Sequence, residues 1–519
     1  MSRPEFSVLT PVYETPPDVL TATVESVLAQ TFPDWELCLV DDHSARPDTV
    51  ATLAALAARD PRIRLVSRDR RGGTAEATND ALAMAVGEYV ALLDHDDALH
   101  PEALSDIHHV TYNFDADVVY TDEDKLYPDG THGSAFRKPA WSPEYLDCAM
   151  YIGHLVVYRR SLVEAVGGFR AEYEGSQDWD LALRVTERAA RIEHVARVRY
   201  HWRVGAGSVA SSPIAKPYAN EAGRRALADA LRRRGIDGWI EDTPNPGHYR
   251  PRRRLPDPPR VSVVLPTAGA TRANGGAPVE LVSRCVDGLI NRTDYPNIEI
   301  VCLIDEKAPP RLAERLLAIA GERIRFVYPQ GPFNYARVID IGATHARSEL
   351  LLFLNDDVEP LDPDWLNVMV ELAADPAVGA VGAKLLYDDG TVQHAGVIHV
   401  DGLPHHRAYA QPDGTGYYSN LVVNLNYLAV TGACQLVRRD LFTRVGGYNP
   451  AYPMNFNDID FCLKIGLCGY RIVQANGARL VHHESATRAA IVTTAEVRRF
   501  LDDWHAHTVH DGFSNVCEP

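Results

Sequence analysis

No stretch of this 519-residue chain approaches the ~20 consecutive apolar residues that cross a bilayer, so a membrane span is not expected. Cysteine is scarce, and its eight positions (38, 148, 285, 302, 434, 462, 468 and 517) include no Cys-x-x-Cys pair. That spacing excludes the usual zinc and disulfide frameworks and suits reduced, buried thiols. Positive charge is short: 52 Lys and Arg face 70 Asp and Glu, a formal charge of −18. Neutralising nucleic-acid phosphates needs a basic surface, so no nucleic-acid partner is expected. No Gly-x-Gly-x-x-Gly follows the first apolar strand, which closes Thr10-Pro-Val-Tyr-Glu-Thr15, and a dinucleotide dehydrogenase is thereby disfavoured. Met1-Ser-Arg-Pro-Glu-Phe6 lacks the apolar core of a secretory leader. The expectation is a cytoplasmic protein, at most peripheral at the inner face of a membrane.

What the chain does have is an ordinary globular composition, 46% apolar and 24% charged, long enough for several domains. Its most telling stretch is Leu92-Leu-Asp94-His-Asp96-Asp97, with a weaker echo at Phe353-Leu-Asn355-Asp356-Asp357. Each follows an apolar run (Tyr89–Leu93; Leu350–Leu354) that reads as a buried parallel strand. Clustered carboxylates must then project at the strand's carboxyl end, where open α/β sheets bind ligands. Such oxygens repel one another unless a hard cation sits among them, and Mg²⁺ or Mn²⁺ commonly bridges to phosphates. A lone motif of this kind is more often a solvated acidic turn; its duplication reverses the preference.

Around the first acidic end, strands alternate with helices. Strands are expected at Phe6–Thr10, Trp35–Val40 and Ile63–Val66, and helices at Pro17–Gln30, Thr49–Ala58 and, after Arg71-Gly-Gly-Thr74, through Ala77, Asn79 and Ala81 to Ala85. That alternation means a doubly wound, mostly parallel α/β sheet. A second pass begins at Val261, and the parallels are ordered along the whole half. Pro11 matches Pro266, Asp41 matches Asp305, and Asn79 precedes Asp94 by the fifteen residues that separate Asp340 from Asn355. Tyr127-Pro-Asp-Gly-Thr131 returns as Tyr387-Asp-Asp-Gly-Thr391, Val166-Gly-Gly-Phe169 as Val445-Gly-Gly-Tyr448, Asp178-Trp-Asp180 as Asp458-Ile-Asp460, and Tyr200-His201 as Val481-His482. The chain is an internal duplication, with domains expected at 1–240 and 261–519. Residues 216–234 read as an amphipathic helix, and 241–260 as a Pro/Arg-rich connector. The arginines at 232–234, 250 and 252–254 form the densest basic clusters; a solvated linker and a membrane-docking patch are both readings of them.

Taken together these motifs resemble the family 2 glycosyltransferases of the GT-A fold over about residues 6–205 and 260–488. The first half carries Pro11-Val-Tyr13, Asp41-Asp-His-Ser44, Gly73…Asn79, Asp94-His-Asp96-Asp97 and Gln177-Asp-Trp-Asp180 in family order. The second, with Phe333-Asn-Tyr335, His394-Ala-Gly396, Asn457-Asp-Ile-Asp460 and His482-His-Glu-Ser485, is similar to the bacterial rhamnosyltransferase-type branch. The resemblance implies two metal-dependent, inverting sites that move sugars from UDP- or dTDP-sugar donors to a growing cell-surface polysaccharide or lipid-linked glycan such as O-antigen.

It also implies residue roles. Pro11, Tyr13, Asp41, Asn79 and Asp94, with Pro266, Asp305 and Asp356 in the second half, would bind the nucleotide sugar. Asp96, Asp97 and His201, with Asp357 and His482 (or its neighbour His483), would hold the divalent cation. Asp178 and Asp458 would take the acceptor's proton, as inversion requires a base. Read without the resemblance, Asp41 equally caps a helix, His201 equally packs against Trp202, and Asp178 and Asp180 equally cap theirs. Gly167-Gly168 suggests a tight turn near the sugar, and Trp141, Trp179 and Trp202 offer stacking faces or core. Asn355, Asp340 and Asp305-Glu306 depart from the first half's pattern, so the second site is expected to serve a different donor or linkage. The rival reading is a nucleotide-sugar-binding scaffold with one dead domain.

Overall fold

The computed structural model describes residues 3–205, 217–274, 277–483 and 492–514. Glu484 and Ser485 of the second-half motif, and Cys517, lie outside them. The chain divides into two compact units, with the boundary between Pro251 and Arg252.

In the first unit, strands β1 (Phe6–Val12), β2 (Trp35–Asp41), β3 (Ile63–Ser67) and β4 (Tyr89–Leu92) form a parallel block. Apolar side chains fill both faces of β1 and β2, as a sheet covered on each side requires. The sheet continues through β5 (Ala98–Leu99), β6 (Val118–Leu126), β7 (His132–Phe136), β8 (Val156–Arg159) and β9 (Ile192–Arg203), in the order β3-β2-β1-β4-β8-β6-β9-β5 with β7 beside β6. Here β8 runs antiparallel to β4 and β6, whereas β9 runs parallel to β6. Helices Pro17–Leu28, Pro47–Ala57 and Thr74–Met84 lie within three residues of their expected bounds. Proline opens the first two, where its fixed φ and missing N–H cost nothing.

Strands β10 (Gly238–Asp242) and β11 (Tyr249–Arg253) pair with each other. The stretch expected as a connector at 241–260 is therefore partly a hairpin. Two of its arginines are paired with acids. Arg250 pairs with Glu241 at 2.8 Å, and Arg252, 8% exposed, donates to Glu371 at 2.7 Å and Asp364 at 2.7 Å. Arg232, Arg233 and Arg234 are matched by Asp229, Glu187 and Asp147. Acids, most of them distant in sequence, thus offset part of the charge that clustering suggested.

The second unit repeats the plan. Strands β12 (Val261–Thr267), β13 (Thr271–Asn274), β14 (Ala277–Glu280), β15 (Ile298–Ile304), β16 (Ile324–Val327), β17 (Leu350–Leu354) and β18 (Val358–Pro360) come first. Then follow β19 (Val378–Leu386), β20 (Val392–His394), β21 (Val397–Val400), β22 (Leu403–His406), β23 (Leu425–Tyr427), β24 (Cys434–Arg438) and β25 (Arg471–His482). The large sheet runs β16-β15-β12-β17-β24-β19-β25-β18, the same order as in the first unit. Even the register coincides: Phe6 faces Trp35 and Tyr89, as Val261 faces Ile298 and Leu350. The separate hairpin β21–β22 has no counterpart among the described residues of the first unit. Six of the described cysteines are buried and Cys468 is exposed, all as free thiols. No helix among the described residues is long and apolar enough to cross a membrane.

Candidate functional site

The second unit gathers its sequence-expected residues most clearly. Pro266, Asp305, Asp356, Asp357, Asp458 and His482 all line one cleft of about 1180 Å³ at the carboxyl ends of β12, β15 and β17. Thr267 donates to Asp356 at 2.5 Å, and burial pushes that carboxyl up to about 6. His482 ends β25 opposite Val358. Its Nδ1 lies 2.6 Å from Gln393 Oε1 and its Nε2 3.1 Å from Asp357 Oδ1. Because the Gln393 oxygen only accepts, Nδ1 carries a proton, and Nε2 faces the carboxylate with Asn355 Nδ2 3.3 Å away. A proton on Nε2 makes this contact an ion pair, and once that proton leaves, an imidazole whose far nitrogen is hydrogen-bonded is the usual form of a metal ligand. The donor set therefore fits a divalent ion. Burial works upward on Asp357, but the hydrogen bond and charge of His482 hold it below the usual carboxylate range. His483 is different: Glu359 at 2.9 Å and Asp388 at 2.6 Å occupy both its nitrogens, so of the two neighbours His482 faces the site.

Asp458 sits in the first turn of helix Asn457–Leu467, where it accepts from Gly432 N at 2.7 Å and Ile459 N at 2.9 Å; burial raises its pKa. Asp460, two residues on and so about 200° around the helix, points inward to Lys464 at 2.6 Å and Trp504 Nε1 at 3.0 Å. The first unit does the same: Asp180 is fully buried against Arg170 and Arg184, while Asp178 faces the other way. Burial, and then Asp94, push Asp178 up, and His154 opposes them.

Around the first acidic end the expectations divide. Asp94 and Asp96 are about half exposed, with Asp94 Oδ2 3.6 Å from His154 Nε2. Asp97 is a correction. Fully buried, it accepts from Tyr200 Oη at 2.6 Å and Arg203 N at 2.7 Å, and burial beside Asp94 and Asp96 drives it toward the neutral acid. Both oxygens hold β9, which sets Asp97 apart from the half-exposed Asp94 and Asp96. His201 meets Asp124 at 2.7 Å, and His132 meets the other oxygen of Asp124 at 3.1 Å. These three are the group that reaches metal-ligand spacing among the described residues, and Asp96 is not in it. Asp124 and His132 gave no sequence signal because β6 and β7 bring them to His201 across the sheet.

Asn79 is a second correction. Its amide brackets the Phe169 backbone, accepting from N at 2.8 Å and donating to O at 2.8 Å, beneath the Gly167-Gly168 turn. Both glycines have positive φ, and a Cβ on Gly168 would lie 2.5 Å from Asn79 Oδ1. That turn receives Asn79 and so packs the fold. Asp340 repeats the arrangement with one bond, accepting from Tyr448 N at 2.9 Å. Asp41 is buried and accepts from Ser44 N at 3.1 Å within the loop; it does not cap the following helix, whose N-cap is Arg46. Its neighbour Asp42, not singled out beforehand, anchors Gly72 N, Gly73 N and Arg68, each at 2.8 Å. Pro11 lies on β1 beside Val40, and the Tyr13 ring is covered by the Arg71 guanidinium at 4.0 Å. Trp179 is core, bonded to Leu146 O at 2.9 Å, whereas Trp202 lies 5.6 Å from the His154 ring.

His154 was also not foreseen. Its backbone N–H donates to Glu123 at 3.0 Å, and the fully buried Lys138 binds Glu123 at 3.0 Å and Ile152 O at 2.8 Å, fixing the chain where His154 meets Asp94. Strand register equates Arg159 with Arg438, so Ala433 stands at the His154 position in the second unit.

Comparison with known proteins follows the duplication. The model of glycosyl transferase family 2 matches residues 7–167 and again 262–446. The chain is 41% identical over 524 residues to a protein of Sinorhizobium fredii called y4gI, itself uncharacterized, covering 98% of this chain and 57% of that one. It is 36% identical over 495 residues to the O-antigen biosynthesis protein RfbC of Myxococcus xanthus, covering 94% and 38%. The chain thus spans about half or less of the length of these curated relatives. Among solved structures, S. aureus TarS 1–349 in complex with UDP-GlcNAc aligns at 22% identity and a TM-score of 0.37, covering 44% of this chain and 66% of that one.

Proposed function

The chain belongs to glycosyl transferase family 2, and on that premise we propose that each unit transfers a sugar, with inversion, from a UDP- or dTDP-sugar to a growing cell-surface polysaccharide or lipid-linked glycan. The observation that carries the reading is the second unit's cleft, where the expected base, nucleotide-side residues and cation ligands share one cavity. The likeness to an O-antigen biosynthesis protein supports the class of acceptor.

In the second unit Asp458 is the base. Two backbone N–H groups hold it in place, and its raised pKa makes it a stronger proton acceptor once ionised. Pro266 and Asp305 face the nucleotide and Asp356 the sugar. Asp357 and His482 would hold Mn²⁺ or Mg²⁺. In the first unit His201 would do so, with Asp96, Asp124 and His132 the other groups on offer. Such an ion supplies Lewis-acid neutralisation of the departing diphosphate. Asp178 is the base of the first site, and His154 offsets the burial and the Asp94 charge that oppose its ionisation.

The test uses the full chain with a donor panel. Asp458→Asn and Asp178→Asn should each lose about 10²–10⁴-fold in one transfer step while still binding donor. If the sites add different residues, the two variants stop at different products, and mixing them restores elongation. Identical product ladders would leave a single working site, and undiminished transfer in both would refute the assignment of the bases.

A further inference from the structure

One face of the first unit's sheet carries a trio that the acidic motif does not account for, and strand register assembles it. Asp124 on β6 sits directly opposite His201 on β9. Leu126, two residues on and so on the same face as Asp124, sits opposite His132 on β7. His132 is therefore a diagonal neighbour of Asp124, within reach across a strand pair. The contacts follow from that placement. His201 Nδ1 lies 2.7 Å from Asp124 Oδ1, and His132 Nδ1 lies 3.1 Å from Oδ2 and 3.3 Å from Oδ1. The two rings stand edge to face with centroids 4.4 Å apart. Two imidazole nitrogens thus converge on one carboxylate. The Asp124 and His201 side chains are 12% and 13% exposed, whereas His132 is 46% exposed and leaves one side open. His100, 5.9 Å from His201 between ring centroids, stays out of the group because its Nδ1 already meets Glu102 N and Arg199.

The second unit shows that the fold does not need this trio. Its β19 and β20 pair in the same register, Leu386 opposite Val392 as Leu126 is opposite His132. By the Tyr127/Tyr387 match, Lys384 stands for Asp124 and Val392 for His132. Lys384 puts a positive charge where the first unit has its carboxylate, held there by Asp413 at 2.5 Å, and that excludes a cation. Both copies keep the glycine turns and the inward aspartates, which the fold requires. A trio present in one copy alone behaves as a ligand site does.

Ligand type names the ion. Two imidazoles and one carboxylate suit a late first-row divalent ion, and affinity for such a set is far higher for Zn²⁺ than for Mn²⁺. Mg²⁺ prefers oxygen ligands and keeps its waters. Three protein ligands with an open side are the pattern of zinc sites that hold a further group. The second unit's set, Asp357 and His482 beside Asp356, has one nitrogen and more oxygen, as Mn²⁺ or Mg²⁺ favours.

We propose that Asp124, His132 and His201 form a zinc-class site through the carboxylate and the two Nδ1 atoms, so that the two halves of the chain take chemically different ions. This deepens the function proposed above by naming the first unit's cation and its ligands, with Asp96 outside them. It rests on that reading for the ion's use and not for its binding.

The test reads binding on the full chain stripped with EDTA. Zn²⁺ is competed against a chromophoric chelator, with excess Mn²⁺ present to fill the second unit, and one equivalent should bind tightly. His132→Ala, at the half-exposed position that folding tolerates best, should weaken zinc about 100-fold or more, since losing a residue that only steadies a ligand already costs about 10–100-fold. Asp124→Ala and His201→Ala should do the same, with circular dichroism checking each fold, and His482→Ala should leave zinc affinity within twofold. Co²⁺ loaded in place of zinc should give the intense visible absorption of a four- or five-coordinate ion, lost in His132→Ala. Unchanged zinc affinity in His132→Ala, the result that adventitious zinc on surface histidines would give, overturns the proposal. So does zinc that follows His482, or the weak absorption of six-coordinate Co²⁺. Failure of the underlying reading is separate: Asp178→Asn and Asp458→Asn would keep full activity while zinc binding stayed as proposed.

Discussion

The two units answer one structural problem with different residues, and that difference can be exchanged. Beneath each double-glycine turn a side chain reaches from a helix far back in the chain (Thr74–Met84 or Tyr335–His345) to the backbone just after the glycines. Asn79 makes two bonds there, to Phe169 N and O at 2.8 Å each, whereas Asp340 makes one, to Tyr448 N at 2.9 Å. A carboxylate cannot donate, and burial pushes Asp340 up to about 6. Raising it from an ordinary value near 3.9 to about 6 corresponds to roughly 1–3 kcal/mol of destabilisation at pH 7.5, allowing for solvent screening of a partly exposed group. Asp340→Asn removes that penalty and supplies the missing donor, so it should stabilise by about that amount and raise the melting temperature by several degrees. The sign with pH is fixed. The folded state binds the extra proton, so the wild-type penalty is absent below about pH 4, grows as pH rises, and is complete above about pH 6–7. The gain from Asp340→Asn should therefore be largest at pH 8 and shrink toward pH 4. The reciprocal Asn79→Asp should destabilise with the same pH profile. Calorimetry and urea melts across pH 4–8 measure both. Stabilisation that is independent of pH, or two variants shifting in the same direction, would refute the reasoning.

Arg252→Ala leaves Glu371 buried without its fork of bonds and should cost about 3–5 kcal/mol, read as a lowered unfolding midpoint; Arg252→Met with Glu371→Leu should recover most of it. A protein that melts normally as Arg252→Ala would show that the pair holds nothing. Gln393→Leu should weaken Mn²⁺ binding, followed by electron paramagnetic resonance, about 10–100-fold by releasing His482, and an unchanged affinity would remove His482 from the ligand set.

The parallel block and its acidic ends were legible because their signals are local. Apolar runs that fill both sheet faces, and carboxylates that cannot stay inside a strand, need no partner to be read. The Asp-x-Asp pairs were partly legible: a two-residue step around a helix already separates Asp178 from Asp180 and Asp458 from Asp460. Contacts between distant residues were hidden. Asp97 looks identical to Asp96 in the chain, and only Tyr200, 103 residues later, makes it an internal anchor. Asp124 and His132 become neighbours of His201 only through sheet order. The arginine clusters left a solvated linker and a docking patch both open because sequence does not reveal the acids that fold back on them.

Duplication sharpened some readings and misled others, and the reason is physical. A fold constrains both copies wherever backbone geometry is at stake, so the glycine turns, the registers and the inward Asp180 and Asp460 coincide. A site constrains only what its ligand touches. His154 enters the first site where the second has Ala433, and His406 enters the second from a hairpin without a counterpart among the described residues of the first. Each copy therefore sets a histidine near its proposed base, but from a different part of the fold. Since the base must face the attacking hydroxyl, the walls around that hydroxyl differ in the two copies. If both copies transfer sugar as proposed, walls that present unlike side chains suit unlike acceptors, which is what alternating addition to one growing glycan would demand.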